Sequence, residues 1–156
     1  MQIDTVDQQI IAALAEDARA SYADIGAKVS LSAPAVKRRV DRLRAAGVIR
    51  GFTAVIDPAA VGWTTEAFVE LFCTGRTTPA QLAAAARRHH AVIGAYTISG
   101  EADALMHLRA ADMAHLEQAL ERLRAEPFVT STRSMIVLSR LVDPVATAPP
   151  AIPDLT

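Results

Sequence analysis

The chain has 156 residues, enough for one ordinary domain or two small ones, and 51 % of them are apolar, which excludes wholesale disorder. Its formal net charge of −1 excludes a strongly basic or acidic protein whose total charge alone would name a partner. A single cysteine, Cys73, excludes an internal disulfide, and its place in an alternating apolar run predicts a small core residue. The polar, acidic opening residues do not fit a secretory signal, and no apolar run approaches the ~20 residues that span a bilayer, so a soluble cytoplasmic protein with no membrane partner is expected.

Charge is distributed unevenly. Lys37, Arg38, Arg39, Arg42, Arg44 and Arg50 lie close together against one acid, Asp41. Such a run is either a solvated helix face or a local basic stripe in a nearly neutral protein.

Ile3, Val6, Ile10, Ile11 and Leu14 keep the helical period, with Asp4 and Asp7 in the first turn, and predict a helix from about residue 4 to 16. After a polar break, Ser21 and Asp24 form a capping-box-like start to a second helix whose Tyr22, Ile25 and Val29 share a face. Ser30-Leu31-Ser32 reads as a turn. A third helix follows with Pro34 in its first turn, Val36, Val40 and Leu43 on one stripe, and Gly47 ending it. Val48 to Asp57 is β-branched and predicts a strand or small hairpin with a kink or bulge at Gly51. Three short helices and a β-ribbon make a winged helix-turn-helix over residues 1–57.

Residues 58–64, with Pro58 and Gly62, read as a hinge. Beyond it, strands are expected at Ala67–Cys73, Val92–Ser99, Ala104–Leu108 and Val129–Leu141. One helix opens at Thr78-Pro79 and runs to about His89; the other opens at Ala111-Asp112, carries Met113, Leu116, Leu120 and Leu123, and stops before Pro127. The order β-α-β-β-α-β over residues 65–142 is the ferredoxin-like split βαβ, so the fold class is α+β. Residues 143–156, rich in Pro and Ala, read as a flexible tail.

These landmarks in this order resemble the Lrp/AsnC family of leucine- and asparagine-responsive "feast/famine" regulators. The resemblance covers roughly residues 3–142. It is carried by Ile3-Asp4 through Leu14, Leu31-Ser32 with Val36, Arg39-Val40 and Leu43, Gly47-Val48-Ile49, Gly51-Phe52, Asp57-Pro58 and Gly62. In the second domain it is carried by Ser99-Gly100-Glu101-Ala102-Asp103 and Thr132-Arg133-Ser134. Glu101 stands where the family usually has Asp, which keeps the charge and lengthens the arm.

The third helix is the expected reader of the DNA major groove. Ser32, Ala33 and Ala35 lie at its N-terminal end. Lys37 and Arg38 point away from the core stripe and are the base-reading candidates, since both side chains pair with guanine O6 and N7. Arg39 and Arg42 are expected to clamp phosphates, Arg50 to touch the backbone from the wing, and the helix start at Ser21 and Tyr22 to hold a phosphate through free N–H groups. Ion pairing with Asp41, or contacts between domains, is the plainer alternative for some of these residues.

The turn Gly100 to Asp103 is, on residues alone, ordinary turn chemistry. The resemblance implies more: an amino-acid effector site between dimers, in which Asp103 pairs with an α-ammonium and N–H groups near Gly100 take an α-carboxylate. Tyr96, Ile98, Ser99, Glu101 and the segment Thr132, Arg133, Ser134, Met135 and Ile136 complete the implied site. No other cofactor is expected. His89 and His90 form a cationic helix end with Arg87 and Arg88 rather than a metal site, and His107 and His115 are isolated.

The expectation is therefore a sequence-specific DNA-binding transcriptional regulator. It pairs edge to edge through its second domain into homodimers, which relatives stack into octamers, and it responds to an amino acid. An architectural DNA-binding oligomer without an effector is the alternative. No catalytic constellation is present in the sequence, which argues against an enzyme on the ferredoxin-like domain.

Overall fold

The computed structural model describes residues 2–142, and its chain divides into two compact units, one containing residues 2–55 and the other Ile56–Leu141. The tail expected at 143–156 lies outside the described residues.

In the first unit, α1 (Thr5–Glu16) starts at Asp4. The Asp4 carboxylate accepts the Asp7 N–H at 2.8 Å and Asp7 returns the bond to the Asp4 N–H at 3.3 Å, a reciprocal cap that satisfies two helix-end donors. Helix α2 (Tyr22–Val29) is capped by Ser21, whose hydroxyl accepts the Asp24 N–H, and ends at Ser30 in the left-handed region. Gly26 allows the close turn that follows: a Cβ there would lie 2.4 Å from the Leu31 carbonyl oxygen. Helix α3 (Ala33–Ala45) has Pro34 in its first turn, and Gly47, at φ +73°, closes it. Ile10, Ala13, Leu14, Ile25, Val36 and Val40 form the shared core.

The β-ribbon expected over 48–57 does not form within this chain. The Val48 and Ile49 N–H groups donate to the Leu43 carbonyl, Ile49 packs on the helical core, and residues 50–56 belong to no strand. The physical reason is a missing partner: a β-branched run needs a second strand for its ladder, and after Asp57 the chain turns into a single turn of 3-10 helix, Ala59–Val61.

The second unit holds β1 (Thr65–Cys73), α4 (Pro79–Arg88), β2 (Val92–Thr97), β3 (Ala104–Ala110), α5 (Met113–Arg124) and β4 (Val129–Ile136). The sheet order is β2-β3-β1-β4 with every pair antiparallel, as the split βαβ requires. Two strands are shorter than expected. Strand β2 stops at Thr97, opposite the first residue of β3, Ala104, and so has no neighbour beyond it. Strand β4 stops at Ile136, after which only the Val137 N–H finds the Glu66 carbonyl.

Alternation puts Ala67, Val69 and Leu71 of β1 and Ala104, Met106, Leu108 and Ala110 of β3 on one face. There they pack with Leu82 of α4 and with Leu116, Ala119 and Leu123 of α5. The opposite face carries Glu66, Phe68, Glu70, Phe72, Leu105, His107 and Arg109, all half-buried, and no element of this unit is packed over it. Cys73 is half-buried at a register shift in β1, and burial pushes its thiol pKa up.

Candidate DNA-reading and effector sites

The candidate DNA-reading surface is α3. Its buried stripe is Val36, Val40 and Leu43. At 3.6 residues per turn, Arg38 falls on the far side of the helix, where it is exposed and has no hydrogen-bond or ion-pair partner among the described residues. Lys37 is exposed, but its ammonium lies 2.6 Å from Asp41 one turn on, which raises its pKa. Ser32 caps α3 without a side-chain bond, so its hydroxyl and the first-turn N–H groups stay available; Ala33 and Ala35 are half-buried beside it. Ser21 is exposed but its hydroxyl is engaged with Asp24, and Tyr22 is half-buried against the core. Arg50 is exposed and has no partner among the described residues, though the segment bearing it is not a wing strand.

Arg39 and Arg42, expected on phosphates, both reach Asp7, whose side chain is completely buried. Arg39 Nη1 donates to Asp4 at 2.7 Å and to Asp7 at 2.8 Å, and Arg42 Nη2 donates to Asp7 at 2.6 Å. The Arg39 hydrogen bond, then the Asp7 N–H, holds the Asp4 carboxyl below the usual carboxylate range, and the same acids raise Arg39. Sequence pattern alone does not reveal this link. Asp4 and Asp7 read as first-turn acids, and nothing in α1 names a partner more than thirty residues away.

The candidate effector residues do not converge on one point within a single chain. The β1–β4 register puts Arg133 and Met135 on the open face of the sheet, opposite Glu70 and Phe68, while Thr132, Ser134 and Ile136 take the other. Arg133 Nη1 lies 3.2 Å from Glu70 Oε2 without the alignment of a hydrogen bond. Its Nη2 lies 3.6 Å from Glu101, and its guanidinium sits 5.4 Å from the Phe72 ring centre. Arg133 thus ties the last strand to the Gly100 turn. Gly100 has φ +126°, which only glycine adopts readily, and Glu101 is 85 % exposed. Asp103 is already engaged: its Oδ2 accepts the Cys73 N–H at 2.7 Å. Thr132 likewise accepts from Arg124 Nε at 3.0 Å. Tyr96 and Ser99 are exposed and Ile98 half-buried on the β2 side of the turn. Glu70 and Phe72, which hold Arg133 in place, were not among the expected residues; they sit on the strand facing Arg133, and register alone brings them there.

Two of the four histidines, His89 and His107, meet carboxylates. His89 Nε2 and Arg88 meet Glu126 at 2.8 and 2.7 Å, and His107 meets Glu66 and stacks on Phe68 at 4.4 Å between ring centres. Among the described residues no group of three His, Cys, Asp or Glu is placed to hold a metal ion, and no helix is long and apolar enough to cross a membrane.

Residues 3–44 match the AsnC-type helix-turn-helix domain, and residues 66–146 match the Lrp/AsnC ligand binding domain. The HTH-type transcriptional regulator Rv2324 of Mycobacterium tuberculosis is 54 % identical over 142 residues, covering 91 % of this chain and 96 % of that protein. The regulator LrpA of the same organism is 34 % identical over 137 residues, covering 88 % and 91 %. Among solved structures, the feast or famine regulatory protein Rv3291c of M. tuberculosis complexed with L-methionine superposes with a TM-score of 0.86 at 32 % identity, over 95 % of this chain and 100 % of that one.

Proposed function

The chain belongs to the Lrp/AsnC family of DNA-binding transcriptional regulators, and from that premise we propose that it changes its assembly or its DNA affinity when it binds an amino acid. The DNA half rests on one observation: α3 turns an unpaired Arg38 outward, directly away from its buried stripe. In this reading Arg38 and Lys37 read base edges, with Lys37 leaving Asp41 to do so, and Ser32, Ala33 and Ala35 approach the groove. Arg50, with the helix start at Ser21 and Tyr22, contacts phosphates.

The effector half is supported by the L-methionine held in the similar regulator Rv3291c and by the opposed charges at the Gly100 turn. Arg133 offers a guanidinium to an α-carboxylate. Glu101, more available than the engaged Asp103, offers a carboxylate to an α-ammonium. Ile98 and Ser99 lead into the same turn, Tyr96 stands opposite Leu105 on β3, and Met135 lies opposite Phe68, on the same face of β4 as Arg133. Thr132, Ser134 and Ile136, on the other face, would serve a ligand held between dimers rather than within one chain.

We place the dimer contact on the open face of the sheet rather than at a strand edge. Phe68, Phe72 and Leu105 stand there interleaved with Glu66, Glu70, His107 and Arg109, a mixed face of half-buried side chains that no element of this unit covers. A dimer of this kind would present two reading helices to half-sites about one helical turn apart, and larger rings up to an octamer would stack from it.

A gel-shift titration on the DNA upstream of the chain's own gene, repeated with each of the twenty amino acids, tests the whole reading. A retarded complex that one or a few amino acids alter is the expected result; indifference to all twenty removes the effector half. The internal engagement of Asp103 and Thr132 favours a second reading, an architectural DNA-binding oligomer, which predicts that indifference.

A further inference from the structure

We propose that Asp7 is the positioning residue of the DNA-reading helix: its buried carboxylate fixes the Arg42 guanidinium so that the free edge of that fork meets a backbone phosphate. The inference rests on the DNA-binding reading of α3 and adds to it a residue on a different helix.

A carboxylate removed from water persists where its lone pairs are filled. At Asp7 three hydrogen bonds do most of this: Oδ1 accepts from Arg39 Nη1, and Oδ2 accepts from Arg42 Nη2 and from the Asp4 N–H. Completely buried and turned to these donors, this carboxylate serves to hold its partners. The two guanidinium groups are held differently. Arg39 is 26 % exposed and spends one nitrogen on both Asp4 and Asp7, which locks α1 to α3. Arg42 is 48 % exposed and gives Asp7 only Nη2, leaving Nε and Nη1 with no partner among the described residues. Arg42 also stands one turn after the unpaired Arg38, so the two form a row on the outer side of α3.

A guanidinium recognises phosphate through a planar fork, and fixing that fork beforehand removes the ordering cost at the moment of binding. Charge alone makes the opposite forecast. Asp4, Asp7, Arg39 and Arg42 together are neutral, so deleting the Asp7 charge makes the surface more positive and would tighten binding to a polyanion.

The two accounts therefore differ in sign for Asp7→Asn. Affinity of the full chain for its upstream DNA, measured by fluorescence anisotropy across a range of salt concentrations, separates them. The expected results are a loss of about fivefold or more for Asp7→Asn and about tenfold for Arg42→Gln. Arg42→Gln should also flatten the plot of log K against log salt by about one phosphate contact, and Asp7→Asn should add no further loss to it. Arg42→Lys keeps the charge without the fork; it should retain the salt slope yet lose affinity. Because Arg42 is half-exposed, this variant keeps the inference open to refutation even where Asp7→Asn does not fold. Binding by Asp7→Asn as tight as wild type or tighter, or an Arg42→Lys variant equal to wild type, overturns the inference alone. A wild-type protein that retains no DNA at low salt overturns the DNA reading itself.

Discussion

The two units close their interiors by different means. The helical unit has a small aliphatic core, and an ionic group completes it: Asp7 sits wholly inside, and two α3 arginines reach it from the surface. The sheet unit closes one face with aliphatic side chains alone, Val69, Leu71, Met106 and Leu108 against Leu116 and Leu123. Its other face is left with half-buried phenylalanines and paired polar groups, Glu66 with His107 and Arg140, and Glu70 with Arg133. The helical unit thus uses charge to fix the orientation of the helix proposed to read DNA. The sheet unit alternates charged and apolar groups on the face proposed for association. Hydrophobic contact is indifferent to direction; a forked hydrogen bond is not.

The largest test of this contrast lies in the sheet core. Leu108→Ala should cost about 3–4 kcal/mol, the transfer loss plus a cavity, read as a fall in the denaturant midpoint. A smaller value would mean that the aliphatic face repacks and is less rigid than its burial implies. Next comes Arg39→Met, which leaves buried Asp7 with Arg42 as its sole cationic partner. It should cost about 3 kcal/mol, at the lower end for a broken buried pair because Arg42 remains. Hydrogen exchange should localise the loss of protection to α1 and α3, with β1 and β3 unchanged. Protection lost equally in both units would dissolve the distinction between them.

A third test is set by pH. Glu126 lies at the end of α5 and joins it to α4. Burial alone would raise its carboxyl pKa, but hydrogen bonds from Arg88 and His89 outweigh that and hold it below its ordinary value near 4.5. A carboxylate lowered on folding contributes stability that is present above the unfolded pKa and lost as pH falls through the folded one. Glu126→Gln should therefore cost about 2 kcal/mol at pH 7, and the difference from wild type should shrink as the pH drops below about 4.5. Thermal melts of both proteins from pH 7 to pH 3 measure it, and a difference independent of pH would remove charge from the explanation.

What the sequence made legible follows from the range of each signal. Helices α1 to α3, their caps at Ser21 and Gly47, and the β-α-β-β-α-β order depend on neighbours within a few residues, where periodicity and turn chemistry operate. The Val48–Asp57 run carries strand propensity too, yet a strand is a relation between two segments, and no second one pairs with it among the described residues. The same limit governs the sites. Arg38 was legible as outward-facing because one helix's period decides it. The attachment of Arg39 and Arg42 to Asp7, of Asp103 to the Cys73 N–H, and of Arg133 to Glu70 are pairings across elements that only the folded register creates.

The smallest effect on folding, and the one that bears most on the contrast, is expected from Phe68. Its ring is half-buried on the open face and stacked at 4.4 Å on His107, so Phe68→Ala should cost the isolated chain about 1 kcal/mol, the worth of one aromatic contact. Its effect on association should be larger. An aromatic side chain at the centre of an interface commonly contributes 2 kcal/mol or more, so the dimer dissociation constant should rise by about thirtyfold. Sedimentation velocity over a concentration series measures the second quantity, and chemical denaturation at a concentration below dissociation measures the first. A Phe68→Ala chain that loses stability but not association would make the open face part of the folding unit and leave the dimer contact at a strand edge. Loss of association with little loss of stability is what an interior finished only by a second copy of the chain must show.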